Sequence, residues 1–349
     1  MTGRVARIAR LSVLLAVLPL AGCGKEPLYQ QQGYVFGTLV EVSVYGESTA
    51  RAQRLTGQVF RDFDRMQHTL HAWRPSALTR MNAVLASSPA EGRIDPALVP
   101  VIRGATRFYR MSGGLFNPAI GKLIKLWGFE SDQAAAVRPD PKQIERLVRA
   151  APKMTDVVID GDGFYSKNPQ VQLDFGGYKG YALDLAAAYL RSQGVKAALL
   201  NIGGNIMAIG RHGDRPWHVG IRDPRGPGAI ATLDLRDGEA IGTSGDYQRY
   251  FMLDGVRYCH VIDPRTGYPA QGVRSVTVVA PPGPLAGALS DAASKPIFIS
   301  GVKDWRQAAR DMQVRDAMLI DRRGEIYLTA SMRKRLHFLE KGLIVHEVP

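Results

Sequence analysis

Residues Gly242–Ala270 read GTSGDYQRYFMLDGVRYCHVIDPRTGYPA, and the character of the whole chain is clearest in this stretch. Two short strand-like runs, YFML and YCHVI, are interrupted by the polar insertions TSGD and DPRTG. Glycine and aspartate are poor strand formers, so the insertions give up sheet stability for shaped loops. Shaped polar loops on a rigid scaffold are where binding and catalysis concentrate. Cys259 and His260 adjoin within the second run, which invites a nucleophile-and-base reading. Successive strand residues face opposite sides, so the two do not form a dyad. Cys259 is assigned to the core, and His260, followed on the loop side by Asp263, is the candidate functional imidazole.

Outside this stretch, strands and helices mix without strict alternation. Thr38–Tyr45 places Val40, Val42 and Val44 on one face, the period of a strand. Leu55, Val59, Phe63 and Met66 recur at helical spacing, and a second helix starting near Pro96 buries Leu98, Val101, Ile102, Ala105 and Phe108. Residues 156–165 read as a hairpin on a Gly-Asp-Gly turn, and 171–175 as a short strand. Tyr181–Ser192 is helical and stops before Gly194. Ala198–Ile202 and Ile206–Ile209 flank a glycine turn, with further strands near Val219, Leu233, Val256 and Val276. This order implies an α+β fold with mixed sheets and outer helices.

The N-terminus predicts an export signal over residues 1–22. Arg4, Arg7 and Arg10 precede an apolar run too short to span a bilayer, and Leu-Ala-Gly-Cys23 reads as a lipobox. Cleavage before Cys23 and its acylation would anchor the chain to a bacterial membrane with its body outside the cytoplasm, the periplasmic side in a Gram-negative cell. An ordinary secretory signal with a coincidental cysteine is the plainer alternative. Residues 23–33 read as a polar tether and 34–349 as one domain. Cys259 is the only other cysteine, so stability rests on packing rather than on an internal disulfide.

The chain has 45 basic and 32 acidic residues, an excess that favours anionic partners such as phosphorylated ligands or a membrane surface. No basic run concentrates that charge, and an extracytoplasmic location argues against nucleic acid. Between strand and helix, Asp174-Phe-Gly-Gly177-Tyr-Lys179-Gly180 offers glycines, helix-start N–H groups and a lysine to a phosphate. By itself it reads equally as a plain strand-to-helix turn. Trp73, in the polar run HAWRPSALTRMN, offers a ring for stacking on a planar ligand, or simply packs. His68 and His71 share a helix face, but with no third ligand nearby they read as hydrated or capping residues. Asp291 and Lys295 have the spacing of an ordinary helix-surface ion pair.

Taken together, these segments resemble the ApbE family, the FAD:protein FMN transferases, also described as flavin-trafficking lipoproteins. Phe36-Gly-Thr38, HAWRPSALTRMN, GGLFNPAIGKLIKLWGF, DFGGYKGYALD and GTSGDYQRYF…YCHVIDPRTGYP match the family's motifs in order. The resemblance implies FAD bound in a cleft between two closely packed lobes. It also implies transfer of FMN to a threonine hydroxyl of an acceptor, a subunit of a membrane redox complex, with release of AMP. A flavin-storing lipoprotein without transferase activity is the alternative. By motif position, Phe36, Trp73, Phe116, Asn117, Asp174, Lys179, His260, Ile262 and Ser294 surround the flavin nucleotide, with His260 also catalytic. The family's Mg²⁺ site falls on the carbonyl of Gly177, on Asp291 and on a threonine, in whose place this chain has Lys295. The glycine turn is also one residue shorter than in the family, and Asn117 stands for the usual aspartate. The expectation is that Lys295 partly or wholly replaces the metal.

Overall fold

The computed structural model describes residues 28–87, 90–130, 136, 138–176 and 178–348. The lipobox with Cys23, and Gly177, lie outside the described residues. The expected tether does not extend to residue 33: Leu28–Val35 is a strand paired in register with Thr38–Tyr45. Its run of glutamines hides the strand signal, but burial alternates along it as a sheet edge requires. Phe36 and Gly37, both at positive φ, form the two-residue turn between these strands.

These two strands begin a nine-stranded sheet. It continues through Ala197–Ile202, Asn205–Ile209, Ala240–Gly245, Val273–Ala280, Asp316–Asp321 and Ile326–Thr329 to Val345–Val348. All neighbours are antiparallel except the last pair, which is parallel. Helices cover one face: α1 (Thr49–Leu70), α2 (Ala77–Leu85), α3 (Leu98–Met111), α4 (Gly121–Leu126), α5 (Pro141–Ala150), α6 (Lys179–Ser192) and α7 (Ala286–Asp311) pack around or beside it. The side chains of Ala198, Leu200 and Ile202 join the helical core, whereas Ala197 and Ile206 face Trp217, Val219 and Leu233. The latter belong to a three-stranded sheet that covers the opposite face. The fold is therefore mixed α+β, as the pattern of elements implied.

Three local expectations change. α2 was not anticipated in the run HAWRPSALTRMN, yet Ser76 caps it, accepting from Thr79 N while the Thr79 hydroxyl accepts from Ser76 N. Helix α3 starts at Leu98, after an aspartate turn in which Asp95 accepts from Ala97 N. Residues 171–175 form only an isolated bridge, Gln172 to Ile120, because the neighbouring carbonyls and amides are taken by Asn82 and residues 118–119.

Candidate active site

The site is assembled where α6 and α7 meet the Gly242–Ala270 segment. α6 and α7 cross at Gly180 and Gly287, where a Cβ on either would lie 2.3 Å from the other's carbonyl oxygen. Only glycine permits that approach. The buried carboxylate of Asp184 then accepts from the N–H groups of Gly287 (2.7 Å) and Ala288 (2.9 Å), capping the first turn of α7. Burial raises the Asp184 carboxyl to about 7, against the lowering effect of those two hydrogen bonds. This lock sets the register between Lys179 on α6 and Asp291 and Lys295 on α7.

Asp291 sits at the centre of a cluster of charges. Lys295 Nζ donates to Asp291 Oδ1 at 2.5 Å and to its backbone carbonyl at 2.8 Å, and Gly180 N reaches Oδ2 at 3.2 Å. Burial would raise the Asp291 carboxyl, but Lys295, Lys179 and the Gly180 N–H outweigh it and hold the group below its ordinary range. Lys179 is lowered, first by burial and then by Lys295 and Arg249, with Asp291 opposing. Tyr178, at left-handed φ and donating to the Leu70 carbonyl, turns the chain into α6 at this point.

On the facing wall, both the backbone N–H and ring Nδ1 of His260 address the carbonyl of Arg249, at 3.1 and 3.3 Å. A carbonyl only accepts, so Nδ1 carries the hydrogen and Nε2 the lone pair. Burial, followed by Arg249, Lys295 and Lys179, pushes the His260 imidazole well below its usual range, leaving it neutral. Cys259 is buried on the opposite side of its strand as expected, and burial raises its thiol to about 12. Asp263 does not partner His260; it holds Arg265 and accepts from its own turn's backbone.

Trp73 is drawn into the same region. Its indole N–H donates to Asp174 Oδ2 at 3.0 Å, and the Arg249 guanidinium lies over its ring, 5.5 Å from the centroid. Nearby, a pocket walled by Phe108, Phe116, Phe175 and Tyr178 includes Asp291 and Lys295 in its lining. A roomier apolar groove between α1 and α6 has no chemistry to offer, since its two charged residues, Asp62 and Arg65, pair with each other. His71 caps the loop that carries Trp73, accepting from the N–H groups of Trp73 and Arg74, and His68 is exposed.

The structure thus brings together Trp73, Phe116, Asp174, Lys179, His260, Asp291 and Lys295, on two facing walls. The side chains of four further residues expected at the flavin have partners within the protein. The side chain of Asn117 is occupied by the Pro152 carbonyl and Ala119 N, a pairing that uses the amide donor an aspartate lacks. Ser294 is fully buried, bonded to Ser244 and the Asp291 carbonyl, so it ties α7 to the sheet. The Ile262 side chain is buried in the apolar cluster with Trp127 and Phe251. Phe36 packs edge-on against Phe63 of α1. Conversely, Arg249 was not singled out: the signal was a lone basic residue in DYQRYF, and only its placement beside both Trp73 and His260 reveals its role.

The expected Mg²⁺ site does not fit the residues found. Among the described residues no group of three or more His, Cys, Asp or Glu side chains is placed to hold a metal. Asp291, the only expected side-chain ligand present, has its Oδ1 and carbonyl taken by an ammonium and faces a second lysine. Mg²⁺ requires near-octahedral oxygen donors, not adjacent cations.

Comparison with known proteins bears on the family and the fold. Residues 36–319 match the ApbE family model. An FAD:protein FMN transferase of Rhodobacter capsulatus is 41% identical over 347 residues, covering 97% of this chain, which spans 65% of that relative's length. One from Treponema pallidum is 34% identical, covering 96% of this chain and 97% of its own. The crystal structure of the ApbE protein from Thermotoga maritima matches with a TM-score of 0.79 at 30% identity, over 88% of this chain and 99% of that one. The apo form of the Pseudomonas stutzeri flavinyl transferase ApbE gives 0.77 at 27% identity, over 90% and 98%. Matched by the family model over residues 36–319, this chain belongs to the ApbE family.

Proposed function

We propose that this chain is an FAD:protein FMN transferase that moves FMN from FAD to a threonine hydroxyl of an acceptor protein. The observation that carries this reading is the convergence of Lys179, Arg249 and Lys295 on His260, around Asp291. Like charges gathered at one place are costly unless an anion sits among them. The pyrophosphate of FAD supplies that anion, with the flavin nucleotide in a cleft between two closely packed lobes, near Trp73 and Phe116.

The reaction is an in-line phosphoryl transfer. The threonine oxygen bonds to the FMN-side phosphorus while the bond from that phosphorus to the bridging oxygen breaks. AMP leaves with the bridging oxygen and its electron pair, and the hydroxyl proton passes to His260 Nε2. In the free protein three cations oppose protonation of that nitrogen. The arriving pyrophosphate offsets them, so His260 becomes an effective base only when FAD is in place.

Export and acylation at Cys23 place the domain, whose sheet begins at Leu28, outside the cytoplasm on a membrane, where a subunit of a membrane redox complex is the natural acceptor. The support is the sequence of residues 1–23. The test is to incubate the purified protein with FAD and a threonine-bearing acceptor domain and weigh the acceptor by mass spectrometry. An acceptor carrying FMN, with stoichiometric AMP, is expected. An unmodified acceptor with FAD still bound would overturn transfer in favour of flavin storage.

A further inference from the structure

Resting on the transferase reading, we infer that the Lys295 ammonium is the built-in cation of this site, doing at the pyrophosphate what a bound divalent metal would otherwise do. Its Nζ donates to Asp291 Oδ1 and to the Asp291 carbonyl, at 2.5 and 2.8 Å, so the one side-chain carboxylate a metal there would draw on is already engaged by a cation. The ammonium is not buried out of reach: about a quarter of the Lys295 side chain remains exposed, and it lines the aromatic pocket beside Phe116. Lys179 and Arg249 act on the same region, and against these three cations stand the carboxylates of Asp291 and, beside Trp73, Asp174. That leaves a net positive charge, which favours a doubly charged pyrophosphate. A divalent ion added to this set would meet three positive neighbours and a carboxylate already paired.

A lysine supplies charge and three donors but no vacant coordination position. It therefore neutralises the phosphorus-bound oxygens through hydrogen bonds rather than polarising them as a Lewis acid. The helix fixes its placement. Lys295 is one turn after Asp291, the spacing at which side chains on one helical face meet. Asp291 serves as its positioning residue, itself held by Gly180 N at the close crossing of α6 and α7.

The experiment measures FAD affinity by flavin fluorescence and FMN transfer by mass spectrometry. Both are run with the full chain after EDTA treatment and with added MgCl₂. Magnesium binding is followed separately by calorimetry. Wild-type protein should bind and transfer FMN equally with chelator or metal, and show no saturable Mg²⁺ heat. Lys295→Met should weaken FAD binding roughly ten- to hundredfold, the worth of one charged hydrogen bond, with or without magnesium. Lys295→Thr should lose as much in EDTA and regain it with MgCl₂, because the freed Asp291 oxygens then accept a metal. Thermal unfolding of both variants checks that the fold is intact, and rescue of Lys295→Thr by metal would itself show a folded site. Loss of wild-type FAD binding in EDTA, restored by MgCl₂, would overturn the inference. So would a Lys295→Met protein that binds FAD as tightly as wild type. If no condition yields FMN transfer but FAD binding follows the expected pattern, the transferase reading fails while the assignment of Lys295 stands.

Discussion

The two walls of the site are held in different ways. The wall formed by Gly242–Ala270 rests on stacked aromatic rings: Trp127 lies 5.5 Å from Tyr258 and 6.3 Å from Phe251, and Phe251 lies 5.8 Å from Phe129. The Trp127 indole donates to the Gly267 carbonyl, tying this cluster to the DPRTG loop. The wall formed by α6 and α7 has few large side chains at its crossing and depends on glycine contact, a buried carboxylate cap and an ion pair. Apolar packing makes the support of the first wall insensitive to charge and pH, although His260 and Arg249 stand on it. The second is balanced between cations and one carboxylate, so its geometry answers to charge, including that of a ligand.

That contrast breaks most visibly at His260. His260→Ala should lower FMN transfer by roughly 10²–10⁴-fold, the usual worth of a general base, while FAD affinity changes less than tenfold. A parallel collapse of FAD binding would show that the imidazole holds the ligand rather than the proton. Next is Trp127→Ala, which empties a fully buried position under the first wall. It should cost about 3–5 kcal/mol in denaturant unfolding. A small loss would mean that the aromatic cluster does not support this wall.

On the second wall, Asp184→Ala leaves the Gly287 and Ala288 N–H groups without their acceptor. A loss of about 1–3 kcal/mol is expected by chemical denaturation. The pH dependence should also change. The Asp184 pKa is raised on folding, from 3.8 to about 7, so the folded state binds more protons between those values. Its contribution is fully present below 3.8 and is lost as pH rises through about 7. Between pH 3.8 and about 7 wild-type stability should therefore fall with pH more steeply than that of Asp184→Asn, the two slopes coinciding above about 7. Identical slopes across pH 4–7 in both proteins would show that Asp184 is ionised throughout.

The smallest effect joins the walls. His260 is depressed in the free protein, first by burial and then by the three cations. The kcat/KM for FAD should stay level as pH falls through 6.5, where an unperturbed imidazole would already be protonating. Arg249→Met should move the acid limb of that profile upward, with Arg249→Lys between the two. An unmoved limb would separate Arg249 from the titration of His260 and reduce the contrast between the walls to one of packing alone.

Much of the fold was legible because it is written in short-range periodicity. The alternating valines of Thr38–Tyr45, the helical spacing of Leu55–Met66 and the glycine stop after Ser192 all depend on neighbours within two turns. The strand Leu28–Val35 was missed because three consecutive glutamines look like tether, although their partners supply the pairing. Ser294 and Asn117 stood in the right motifs, but motif position does not say which way a side chain is spent. Asn117 was spent on Pro152 and Ser294 on Ser244, residues 35 and 50 positions away.

The sequence by itself determined the polar insertions around His260, the pairing distance of Asp291 and Lys295 within one helix, and the burial of Cys259 opposite His260. Each follows from the repeat of a single helix or strand. Only the tertiary structure decided that Lys179 meets Asp291, that Arg249 covers Trp73 while its carbonyl holds His260, and that glycines of α6 and α7 touch. Those partners are far apart along the chain, and no local pattern records a contact whose energy arises only when separate elements pack.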